Sequence, residues 1–522
     1  MSDNFKVFAN LLLHAMDPIN VEHSHVHLRR IVEEFEASGV KTDIYLSTGL
    51  AQSIAEAPAE TELLNVLRRA AEEGYGVGML TLASHPTPGE ASRNLEWDEA
   101  YRVTEHYATL HQDLITGEFD PNRPGGARLI EKIFGRWPDI VTRRVVTDIY
   151  YHRKHGALFS LGDMPYDWLD GWVAPPLAWF MGMVTLLHYP LAENIWDYIF
   201  WPPNPNQARQ LLDEIVESVP DPSPHMLFIG GHNVDFYANN PCWTAKSLGS
   251  PRHMEMWAYL KGNPPSLEKA KIPHRYLLSE ELIERNYNIL RVVLKTFRER
   301  EKSDLDFEIV TARELVARID TRMEQVLKWE QIVAVARFLV EKTGRGLPEW
   351  VPLDDGNALT LAQAFGVVTS ALAKWLETGA IPQKVTADAN LLGPTRRPRE
   401  WLGYPLRSSI ENVNVTIAEV AVCCGQVAQG LGKGEPPDIP IYASAGGVEI
   451  NAAELLYAAA QGILKVEKGE RETVQLRRLT MHPDPCIYAR QPWLSDAEMS
   501  KHSTADQLFQ LQLWTVKPVK FL

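Results

Sequence analysis

The chain has 522 residues, too many for one ordinary domain, so two or three are expected. Its 45% hydrophobic and 23% charged residues suit a globular protein with large cores, and a net charge of −15 argues against nucleic acid or an anionic membrane as the main partner. The four cysteines, Cys242, Cys423, Cys424 and Cys486, contain no CxxC spacing and make no disulfide framework.

The N-terminal stretch lacks a basic region, a long apolar core and a small-residue cleavage site, so no signal peptide is expected and the chain reads as cytoplasmic. An apolar run, Val7 to Leu13, leads abruptly into His14, Asp17, His23, His25 and His27. Such a run reads as a buried strand that delivers polar side chains at its end, where α/β folds place their sites. The plainer alternative is an ordinary loop followed by a helix. That helix, Val21 to Ala37, puts Val26, Ile31, Val32 and Phe35 on one face and stops at Ser38-Gly39. Val40 to Ser47 alternates like a strand, about Glu60 to Glu73 is a helix ended by Gly74, and Tyr75 to Leu82 is a third strand running into His85. Strands alternating with helices predict parallel βα units, as a barrel or a doubly wound sheet.

The order of these pieces resembles the polysaccharide deacetylase family. The corresponding stretches are His14-Ala-Met-Asp17, Gly39 to Gly49, and Gly76 to Pro86 with His85. Phe307 to Leu315 is similar to the strand–helix pair that closes that barrel, so the likeness spans about residues 1–320. The chain departs from the family at two points. The family carries two adjacent aspartates where this chain has Asp17 alone, and a second histidine one helical turn on, which is missing after His85.

Beyond a helix at Trp97 to Leu110, Val145 to His155 carries Asp148, His152 and His155 just past an apolar run. At i and i+4, Asp148 and His152 share a helix face, either as a ligand-contacting pair or as a helix start. Tyr166 to Trp201 holds Trp168, Trp172, Trp179, Trp196 and Trp201. Such rings suit a sugar face or a thick core equally. The most membrane-like run, Trp172 to Leu191, is broken by Pro175, Pro176 and His188 and is short for a span. His225 to Asn240 repeats the opening pattern: an apolar run, Gly230-Gly231, then His232 and Asp235. Ser279 to Glu299 is a charged amphipathic helix.

Gly344 to Gly356 marks a domain boundary. Three helices then open alike, at Thr360, Thr416 and Asn451, each with Gln or Glu three residues on in a capping-box pattern. The first two lead to Ile381-Pro382 and Ile439-Pro440, which reads as internal duplication. Residues 355–466 resemble the pseudomurein-binding repeat; a plain helical packing or dimerisation domain is the alternative. Arg396, Arg397 and Arg399 suit an anion or a solvated linker. Gln510 to Leu522 alternates like a final strand or docked segment.

The expected fold class is α/β, a distorted (β/α) barrel over 1–345, followed by a mainly helical repeat domain over 346–470 and a packing tail over 471–522. The deacetylase resemblance implies removal of N-acetyl groups from a glycan. It assigns Asp17 as base, His232 as acid, and His14, His85 and Asp235 as ligands of a divalent metal, Zn²⁺ first. Trp168, Trp172, Asp148 and His152 are the expected substrate contacts. Two alternatives stand beside this reading. One is an inactive barrel that binds a glycan or protein, with the repeats as a second binding module; under any reading, the helical repeats could also join copies into a homo-oligomer. The other is glycoside hydrolysis by Asp17 with Asp148 or Asp235.

Overall fold

The computed structural model describes residues 6–15, 21–56, 61–80, 91–113, 118–143, 145–162, 177–186, 210, 213, 225–233, 279–304, 306–322, 324–395, 413–431, 433–434, 436–481, 504, 508 and 511–522. Strand β1 (Lys6–Ala15) is the opening apolar run. Ala9, Leu11 and Leu13 join one buried cluster and Phe8 and Leu12 another. Both faces are therefore covered, which is why the strand reads as continuously apolar. Helix α1 (Val21–Ser38) buries Leu28, Ile31, Val32 and Phe35 at helical spacing and is followed by left-handed Gly39. Val26, expected on that face, is 51% exposed; Leu28 occupies the stripe instead.

Next come β2 (Asp43–Ser47), α2 (Thr48–Glu56), α3 (Thr61–Glu72) and β3 (Gly76–Leu80). The two glycines of β3 answer to close approach. A Cβ on Gly78 would lie 2.6 Å from the Tyr45 ring, and one on Gly76 would lie 1.6 Å from Asp43 Oδ1. Helix α4 (Trp97–Thr109) leads through a small hairpin, β4 (Leu110–Gln112) and β5 (Phe119–Pro124), into α5 (Gly126–Phe134). β6 (Ile140–Arg143), α6 (Val146–Lys154) and β7 (Phe159–Gly162) continue the alternation. It then breaks: β8 (Leu177–Phe180) and β9 (Met183–Leu186) form an antiparallel hairpin across Met181-Gly182, both at positive φ. β10 (His225–Asn233), α7 (Glu280–Ser303), β11 (Phe307–Ile309) and α8 (Ala312–Val316) complete the first part.

These strands form one curled ten-stranded sheet, a half-barrel in the order β10-β1-β2-β3-β6-β7-β9-β8, with a last strand beyond β8 and β11 paired to β1. Helices α1, α3, α5 and α7 cover one face of β1 to β3. On the other face Phe8, Leu12, Tyr45, Phe159, Leu161 and Trp179 meet Val310, Leu315 and Ile319 around α8. The α/β expectation therefore holds, as a mixed sheet with an antiparallel edge rather than an all-parallel one.

The second part is built from β12 (Gln325–Lys328), α9 (Trp329–Lys342), β13 (Trp350–Pro352), β14 (Ala358–Thr360), α10 (Leu361–Thr378) and β15 (Lys384–Ala387), with β12 pairing β15 and β13 pairing β14. The same order follows again: β16 (Asn414–Thr416), α11 (Ile417–Gly430), β17 (Tyr442–Ala445), β18 (Val448–Asn451), α12 (Ala452–Glu467) and β19 (Thr473–Gln475), with β16 pairing β19 and β17 pairing β18. Complete capping boxes open α10, α11 and α12. At α9 half of the same device is present, where Lys328 N donates to Gln331 Oε1 at 3.0 Å; a lysine side chain has no acceptor to complete it. α10 packs on α11 and α9 on α12. The paired elements of this second part begin at β12. Trp514, fully buried, donates to Met481 O at 2.7 Å. Beyond it β20 (Lys517–Pro518) pairs with β8, and Phe521 stacks on Phe8 at 5.6 Å. The expected docked tail is in this way part of the sheet.

Candidate functional site

β1 and β10 are parallel neighbours, in register from Lys6↔His225 to His14↔Asn233. The two apolar runs that end in His and Asp therefore end side by side, at the carboxyl edge where open α/β sheets bind ligands. Asp17 and Asp235, three and two residues beyond the last pair, lie outside the described residues. The backbone alone is described for His14 and His232. The register sets His14 opposite Asn233 and His232 opposite Leu13. β2 ends at the same edge: Ala15 pairs with Leu46, and buried Ser47 accepts a bond from Leu50 N at 3.1 Å, in the first turn of α2.

His85, Trp168 and Trp172 also lie outside the described residues. Asp148 and His152 are described and deeply buried, at 2% and 1% exposure. They sit on α6, which follows β6, three strands along the sheet from β1. Asp148 accepts from Thr104 Oγ1 of α4 at 2.7 Å, and Thr104 also meets Thr147 Oγ1 at 2.9 Å. The His152 ring lies edge-on to Tyr151 and 5.8 Å from Trp137, with no hydrogen-bond partner at Nδ1. Burial, and then the neighbouring His155, push its pKa down to about 3, so the ring is neutral. Among the described residues no group of three His, Cys, Asp or Glu is arranged to hold a metal ion, and no helix is long and apolar enough to cross a membrane.

A second polar centre lies at the opposite, amino edge of the same strands. Asp43 opens β2 and is fully buried. Its Oδ2 accepts from Asn10 Nδ2 at 2.6 Å and from Ala312 N at 2.9 Å. Burial, the largest influence, raises its pKa to about 7. Asp139 nearby is held by Arg136 at 2.9 Å and Arg313 at 3.2 Å. In the second part of the chain, a cleft of about 680 Å³ opens between α11 and β17, lined by Gln426, Val427, Leu431, Ile441 and Tyr442.

No family model matches the chain, and no curated protein matches it. Several solved structures resemble it in part. The 4-alpha-glucanotransferase of Thermococcus litoralis has a TM-score of 0.35 and 12% identity over 61% of this chain and 41% of its own length. The GH57-type branching enzyme of Pyrococcus horikoshii scores 0.33, at 10% identity over 60% of this chain and 70% of its own. The GH57 branching enzyme of Thermococcus kodakaraensis scores 0.30, at 10% identity over 65% and 81%. The chain thus spans well under half the length of the glucanotransferase. Likeness this slight decides neither family nor function. Neither the deacetylase resemblance nor the pseudomurein-binding one gains support from them.

Proposed function

We propose that the chain is a carbohydrate-active enzyme whose reaction takes place at the edge where β1 and β10 end together. The observation that supports this is their register, which ends two strands of the same His/Asp pattern side by side, His14 opposite Asn233. Adjacent strands lie about 4.8 Å apart, close enough for residues leaving both ends to act on one bond. In the finer reading the bond is the amide of an N-acetyl sugar. Asp17 takes the proton of the attacking water and a β10 residue, His232, protonates the leaving amine. A divalent metal, Zn²⁺ first, is the cofactor of that reading, with His14, His85 and Asp235 as its ligands; when bound it would polarise the carbonyl.

The test is turnover on N-acetylated glycans by the wild type and by Asp17→Asn, with acetate and new reducing ends both measured. Loss of a general base costs about 10²- to 10⁴-fold in rate, with the far-UV CD spectrum unchanged. Acetate release supports the amide reading, whereas reducing ends point to glycosidic cleavage by Asp17 and Asp235. Undiminished turnover in Asp17→Asn removes Asp17 from the reaction. A wild type that releases neither product refutes the enzyme and leaves a glycan- or protein-binding barrel.

A further inference from the structure

The edge of β1 that faces β2 is shared. Residues Val7 to Ala9 pair with β11, and Leu12 to Ala15 pair with β2. Asn10 lies in the fork between them. Its Nδ2 donates to Val310 O at 2.9 Å, just past β11, and to Asp43 Oδ2 at 2.6 Å. The same Asp43 oxygen accepts from Ala312 N, the first residue of α8. One carboxylate oxygen of β2 therefore gathers a bond from β1 and a bond from the closing β11–α8 unit.

The other oxygen, Oδ1, has no hydrogen-bond partner among the described residues and lies against Gly76, where any side chain would collide with it. Among the described residues no cation pairs with this carboxylate. Arg136 and Arg313 bind Asp139, and Lys41 binds Glu314 at 3.1 Å. Both Asp139 and Glu314 are acidic and oppose a further negative charge. A buried, unpaired carboxylate is costly, and such a group takes up a proton instead. A proton on Oδ1 occupies the oxygen that accepts nothing and leaves Oδ2 as the acceptor for both donors.

We propose that Asp43 is a proton-operated clasp: it fastens the β11–α8 unit to β1 and β2 at acid pH, and that unit loosens as pH rises toward neutral, because the opened segment releases the proton that the buried carboxyl must hold. Burial places the end of that change near neutral pH, against the two hydrogen bonds that favour the ionised form. The clasp lies at the amino edge of the strands and does not depend on the chemistry proposed for their carboxyl edge.

The test is hydrogen exchange of the full-length protein, read by mass spectrometry over residues 310–319 and corrected for the intrinsic pH effect. Between about pH 4 and about pH 7, protection there should fall by up to about tenfold per pH unit in the wild type and level off above. In Asp43→Asn, which is close to isosteric and cannot ionise, protection should be flat. Wild-type protection that does not change between about pH 4.5 and about pH 7, or an equal fall in the variant, overturns the clasp. If Asp43→Asn fails to fold, the wild type alone decides by infrared spectroscopy. A protonated-carboxyl C=O band present at about pH 6 and gone by about pH 8.5 supports the clasp, and its absence throughout overturns it.

Discussion

The chain carries one capping device in two surroundings, which allows its contribution to be measured against an internal control. At α11, Thr416 and Glu419 are exposed. Thr416 Oγ1 accepts from Glu419 N at 3.1 Å, and Glu419 Oε2 accepts from Thr416 N at 2.7 Å. At α12 the same exchange joins Asn451 and Glu454, at 2.9 and 2.8 Å, but both are buried, at 2% and 1% exposure. There the pair also holds β19's outgoing chain: Asn451 Nδ2 donates to Leu479 O at 2.9 Å, and Leu479 N donates to Glu454 Oε1 at 3.3 Å. Thr416→Ala should cost about 1 kcal/mol, the usual worth of a lost cap. Asn451→Ala loses the cap and also strands the Leu479 carbonyl away from water, which adds about 1–2 kcal/mol. The expected costs are therefore about 1 and about 2–3 kcal/mol. Urea unfolding of both variants, followed by far-UV CD through the same transition, gives the comparison. Costs within about 0.5 kcal/mol of each other would refute the reasoning, because burial would then have added nothing to the cap.

Two further substitutions address other parts of the fold. The unfolded chain protonates His152 below its ordinary value of 6.5, whereas the folded protein holds it neutral until about 3. Stability is thus fully present above 6.5 and is lost as pH falls toward 3, by up to about 1.4 kcal/mol per unit. His152→Leu should flatten that acid limb in urea midpoints measured against pH, and an unchanged slope would exclude His152 as its source. Phe521→Ala removes the stack on Phe8 and should cost about 1–2 kcal/mol locally. The amides of Asp320 and Leu522, bonded to Lys520 O and Arg318 O at 2.7 and 2.8 Å, should exchange faster while α10 and α11 stay protected. Uniform loss of protection in all of them would mean that the tail is not a separate attachment.

What was legible in the sequence followed from how local its cause is. β1 announces itself because both of its faces are covered, and α10, α11 and α12 because a cap and its partner are three residues apart. The α9 start was missed because Lys328 is no capping side chain, although Gln331 stands at the same offset. The β8–β9 hairpin lay hidden in an aromatic run, its turn made by a methionine at φ 52° rather than by a recognisable Asn-Gly. Asp43 shows the opposite limit. Its partners lie 33 residues before it and 269 after it, so nothing near Asp43 in the sequence reveals that the group is buried and uncompensated.

The same distinction separates the two polar centres. Asn10 and His14 are both on β1, four residues apart and on the same face of the alternation, so the clasp and the carboxyl edge are separated by about 13 Å of strand. Between them lie Leu12 and Tyr45, both buried and both part of the inner apolar cluster. A charge appearing on Asp43 acts on the far edge, about 13 Å away, several-fold less than on groups at about 3 Å. It acts mainly on its immediate neighbours, the first turn of α8 and the start of β2. A substitution at Asp43 that changed the protection of α8 and left chemistry at the β1–β10 edge unaltered is what this separation requires. One that abolished both together would point to collapse of the fork in β1, since Asn10 and His14 belong to a single rigid strand.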